Sequence, residues 1–143
     1  IAQSDTSSPS ERRTSLVQRL MRAQDVVSAL VELDLATFYG VAKPIDQLRP
    51  PERRLGPKGL AAVADSMRNN QPYDELERSL LSALLFTYQA LSDDELERYV
   101  EFSETDAGRW FHHLYNQSLI RATEEASERA TLQLMPIVEQ LRR

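Results

Sequence analysis

Apolar residues recur at alternating steps of four and three near the start of the chain. Leu16, Leu20, Ala23, Val27 and Leu30 thereby form one continuous stripe down a helix. A strand would need a two-residue period, and nothing of that kind runs beside the stripe. Only four glycines occur in 143 residues, and Leu, Ala, Glu and Arg are abundant. The reading is an all-α chain, not a β-sandwich. Apolar residues make up 41% and charged residues 27%, a globular balance. No stretch reaches the roughly eighteen uninterrupted apolar residues that a membrane span needs.

Local signals divide the chain further. Residues 1–7 read as a mobile lead-in, and the remainder, 8–143, as one helical domain. Ser8, Pro9 and Glu11 predict the start of a first helix that runs unbroken to Gly40, with Pro44 closing it. Pro44, Pro50, Pro51, Gly56 and Pro57 mark 43–58 as a Pro-rich connector. A second helix is expected over 57–69, with Leu60, Val63, Ala64 and Met67 on one face. A third, over 72–90, is apolar nearly all round from Leu80 to Phe86, so it belongs at the centre of a bundle. Ser92 and Glu95 form a capping box for a fourth helix, with Leu91 and Leu96 as its staple. Thr105 caps a fifth, and Gly108 lets two helix backbones approach. One face of that fifth helix reads Ala107, Phe111, Leu114, Ser118, Ala122, Ala126 and Ala130, and Pro136 kinks or ends it. The expected architecture is a single orthogonal or antiparallel bundle of five or six helices around a central apolar one.

The chemical inventory is sparse. With no cysteine there is no disulfide, thiolate metal site or cysteine nucleophile. His112 and His113 are adjacent, so they lie about 100° apart on a helix and cannot easily grip one ion. The acidic run Asp93-Asp94-Glu95 lacks the spacing of a calcium loop and suits the positive start of a helix. Asp34 falls in an apolar run, so it should be exposed or paired with a basic group, with a structural salt bridge expected first and a polar group lining a pocket second. No phosphate-cradling glycine loop or nucleophile elbow occurs. Catalysis, metal and cofactor are therefore not expected.

Charge is uneven. Residues 1–58 carry nine basic and seven acidic groups, whereas 59–143 carry eight and fifteen. The net charge of −5 fits a nucleic-acid partner poorly. Arg49, Arg53, Arg54 and Lys58 concentrate positive charge in the connector, which reads first as a solvated loop or an internal partner for the acidic second half and otherwise as a receiver of carboxylates, phosphates or an acidic partner. Trp110 is offset from the apolar face of its helix. It is either an interface anchor or, as expected first, packed on the preceding helix. Opening on Ile1 points to a processed product or a fragment, and any signal peptide is absent or already removed.

The stretch Leu91-Ser92-Asp93-Asp94-Glu95-Leu96-Glu97-Arg98-Tyr99, continuing through Phe102 to Thr105-Asp106-Ala107-Gly108-Arg109-Trp110, resembles an uncharacterised bacterial helical family, domain of unknown function 2059. That family carries an acidic-leucine helix, an aromatic, then Ser/Thr-Pro-x-Gly and another aromatic; Asp106 stands here where proline is favoured. Tyr88-Gln89-Ala90 and Leu48-Arg49-Pro50-Pro51-Glu52-Arg53-Arg54-Leu55 also resemble longer relatives. The likeness covers most of 16–130, with its firm motif over 91–111. It implies an all-helical exported protein, usually periplasmic, with no catalytic residues to carry over, and this chain as its C-terminal part. Two functions are expected: a non-catalytic interaction module of the bacterial envelope, meeting an unknown protein partner or a second copy of itself through the long first helix, or a carrier of an apolar molecule or lipid between helices.

Overall fold

The computed structural model describes residues 10–141, and these form helices and turns only. Six α-helices occur among them: α1 (Glu11–Gln24), α2 (Val26–Leu48), α3 (Gly56–Asn69), α4 (Tyr73–Thr87), α5 (Asp93–Glu104) and α6 (Asp106–Leu141), with a 3-10 turn at Pro51–Arg53. The fold is an all-α bundle. The chain divides into two compact units; the described residues of the first are 10–27 and 73–113, and of the second 28–72 and 114–141.

In the first unit, α1 packs on α4 and α5. Leu16, Val17, Leu20 and Met21 of α1 meet Leu96 and Val100 of α5 in a closed core. Leu80, Leu81, Leu84 and Leu85 of α4 lie against that core only partly buried. Phe86 is 71% exposed. The helix expected at the centre is therefore a flank, and α1 holds the core. An apolar run is buried all round only when neighbours surround it, and α4 buries no residue fully.

Ion pairs and caps fix the α4–α5 corner. Arg13 reaches Asp93 at 2.6 Å and donates to the Leu91 carbonyl at 3.0 Å and to the Tyr88 carbonyl. Arg12 bridges Asp94 and Glu97 at 3.0 and 2.7 Å. The acidic run thus serves α1 as well as the start of its own helix. Ser92 Oγ accepts from the Glu95 amide, and the Glu95 carboxylate accepts from the Ser92 amide at 2.8 Å. At the next corner Thr105 Oγ1 accepts from the Gly108 amide at 3.0 Å. A Cβ on Gly108 would strike the Phe102 carbonyl.

The second unit buries Val31, Leu35 and Ala36 of α2 with Leu60 and Ala64 of α3. At Gly40, α2 touches the α6 backbone: a Cβ there would lie 2.5 Å from the Glu124 carbonyl oxygen and 2.9 Å from the Glu128 nitrogen. Lys43 pairs with Glu124 beside it.

Four boundaries depart from the sequence expectations. Asp25 interrupts the first helix in the left-handed conformation (φ 51°, ψ 42°), and its amide donates back to the Met21 and Arg22 carbonyls. Aspartate tolerates that conformation better than most residues, and beyond it α2 buries Val31, Leu35 and Ala36 while Val27 and Leu30 are only partly buried. Ser10 caps α1, accepting from the Arg13 amide at 3.1 Å; the expected cap Ser8, Pro9 and the 1–7 lead-in lie outside the described residues. α2 continues through Pro44, shortening the connector expected at 43–58, and α6 continues through Pro136 to Leu141. Each proline removes one helical hydrogen bond, and the flanking turns keep the rest.

Candidate functional site

Asp46 organises the turn that joins α2 to α3. It is 6% exposed near the end of α2. Its carboxylate accepts from the Leu55 amide at 2.8 Å and the Gly56 amide at 2.9 Å. Those amides open α3, where Leu55 supplies no side-chain cap. A carboxylate nine residues upstream thus does the work of a cap, placed where the helix dipole favours negative charge. The two amides hold the Asp46 carboxyl below its ordinary value, and Arg49 and Arg54 act in the same direction. Arg54 Nε donates to the Arg49 carbonyl at 2.9 Å, so a guanidinium also closes the end of α2.

This clasp holds the end of α2 beside the start of α3, and a groove of about 350 Å³ lies along them. Its walls are Phe38, Val41 and Ile45 from α2 and Leu60 and Val63 from α3, with Leu55 between. Thr37 also lines it, but that hydroxyl donates to the Leu33 carbonyl at 3.1 Å. Asp46 and Arg49 are the charged lining residues. The volume lies at the lower end of small-molecule sites, which combine apolar walls with few polar groups. Val41, Ile45, Leu55 and Val63 remain exposed along it.

Of the basic residues singled out from the sequence, Arg49 lines the groove and Arg54 adjoins it, while Arg53 and Lys58 are exposed nearby in the chain. Asp34 is exposed on α2 with no ion pair among the described residues, so the salt bridge expected there is replaced by solvation. The buried acid is Asp46, which sequence reasoning missed. Its signal was available: an aspartate nine residues before Leu55-Gly56-Pro57, a helix start without a Ser, Thr, Asp or Asn cap.

In the first unit His112 is buried and His113 exposed, as neighbouring positions on a helix require. The His112 ring sits edge-on to Phe111 and Tyr99, with Nε2 3.3 Å from Ser103 Oγ. Burial lowers its pKa. A polar hollow gathers Arg19, Arg22, Glu104 and Arg109, where Arg19 grips Glu104 with two bonds of 3.0 and 2.7 Å. Trp110 is 65% exposed, so it does not pack away as first expected. Phe102 is exposed too. Among the described residues, no three His, Asp or Glu side chains gather where they could hold a metal ion. No helix of the described residues is long and apolar enough to cross a membrane.

The α6 face differs from expectation. Ala107, Phe111, Leu114, Ser118, Ala122, Ala126 and Ala130 are all exposed. Gly108 and His112 are the buried residues of this helix, one position on from Ala107 and Phe111. Further along, Leu134, Ile137, Val138 and Leu141 project an apolar stripe that remains exposed.

No family model matches the chain, and no significant match was found among curated proteins or solved structures.

Proposed function

We propose that this chain is a non-catalytic helical interaction module of the bacterial envelope, working by self-association through the last turns of α6. The envelope assignment rests on the resemblance of residues 91–111 to an exported family. One observation carries the interaction reading. Leu134, Ile137, Val138 and Leu141 are spaced i, i+3, i+4 and i+7, and all are exposed, Leu141 to 83%. That spacing makes a stripe about 100° wide, the width that one helix buries against another. Exposed apolar stripes of this kind favour protein contacts. Sedimentation across a concentration series should show a reversible oligomer that Val138→Glu dissociates. A monomer at every concentration, unchanged by the substitution, would remove the proposal.

The α2–α3 groove supports a second reading, a carrier of an apolar small molecule. Its walls are apolar, and it lies beside the Pro-rich turn. Native mass spectrometry of gently purified protein should then show a bound small molecule; a clean apo mass would count against it.

A further inference from the structure

Resting on the carrier reading, we propose that the α2–α3 groove takes an anionic amphiphile, a medium-chain carboxylate whose tail lies along the groove and whose head meets Arg49. The tail would lie against Phe38, Val41, Ile45, Leu55, Leu60 and Val63, all apolar. Charge at the groove selects the head. Asp46 is the acid of the lining, and both its acceptor bonds go to backbone amides. Arg49 is exposed, lines the same groove and forms no salt bridge among the described residues. Arg54, outside the lining, donates to the Arg49 carbonyl, so this end of the groove carries two guanidinium groups against the one carboxylate of Asp46. A cationic head would face both arginines, and a neutral hydroxyl would accept a weaker bond from them than a carboxylate does. A carboxylate gains a charge-assisted bond.

Titration with octanoate, decanoate, dodecanoate and dodecanol tests this, using calorimetry and native mass spectrometry on the intact chain. Affinity should rise about fourfold for each added methylene until the groove is filled. Dodecanoate should bind about tenfold more tightly than dodecanol, and Arg49→Gln should remove most of that difference while changing dodecanol binding far less. Val63→Trp, at an exposed wall position, should abolish binding of both without altering the melting curve. Equal affinity for dodecanoate and dodecanol would overturn the anionic assignment and leave the carrier reading standing. Absence of binding by every probe would overturn both. Binding that persists in Val63→Trp would also overturn the placement in this groove.

Discussion

Asp46 is worth more to the structure as an acceptor than as a charge. Two consecutive amides at the start of α3 converge on it, and Leu55 offers no substitute cap. Asp46→Ala should leave both amides without that partner and loosen the start of α3. The expected result is a lower melting temperature and exchange of the Leu55 and Gly56 amides faster by about an order of magnitude. Asp46→Asn keeps one side-chain oxygen and should fall between the two. Unchanged exchange at both amides would show that the turn holds itself. The surface pairs are different. Arg68 and Glu32 sit 3.0 Å apart with both side chains about 40% exposed, and such pairs contribute between nothing and about 1 kcal/mol.

At the scale of the helix, capping and close approach set the geometry. Ser92→Ala should cost about 1 kcal/mol, because it removes the acceptor for the Glu95 amide and half of a reciprocal pair. Urea denaturation would check it through a shifted midpoint at constant slope. Gly40→Ala is the sharper case, since two effects oppose. Alanine gains up to about 1 kcal/mol in helix propensity. Its Cβ, however, would meet backbone atoms of Glu124 and Glu128, which cannot swing aside, and overpacking typically costs about 1–3 kcal/mol. The expected sign is destabilising; a stabilised variant would mean that α6 retreats easily. The same scale shows what the sequence made legible. Ser92, Glu95 and Thr105 signal their own caps because capping is local. The break at Asp25 leaves no such trace, since the apolar stripe passes across it. The α6 face was misread for a related reason. In the first unit its buried positions are Gly108 and His112, and in the second its backbone at Glu124 and Glu128 meets Gly40; hydrophobic spacing weighs neither glycine nor backbone contact. The groove was legible only in its parts: Val63 and Leu60 on one periodic face, Arg49 in a basic cluster, and Asp46 only through the uncapped helix start that follows it nine residues on.

Across the whole molecule, the shifted groups combine into one pH profile. Asp46, Glu95 and Glu104 all titrate below their ordinary values, held there chiefly by the Leu55 amide, the Ser92 amide and the Arg19 side chain respectively. Their stabilisation is complete above the ordinary 3.8 and 4.5 and is lost as pH falls through the lowered values. Burial also lowers His112, which favours its neutral form in the folded chain. Unfolded chains therefore take up protons first as pH drops below the ordinary 6.5, and stability declines from there until the folded imidazole titrates too. Tyr88 shifts the other way, raised by burial and then by Tyr99. Its contribution is complete below the ordinary 10.0 and is lost as pH rises through the raised value. These signs predict a plateau of stability between about pH 7 and pH 10, with a shallow decline on the acid side preceding a steeper one. His112→Asn should abolish the shallow step while sparing the steep one, because it removes the titrating ring and leaves the carboxylates in place. Denaturation midpoints taken across that pH range would decide it: a variant that retains the decline below pH 6.5 would assign the step to a group other than the imidazole.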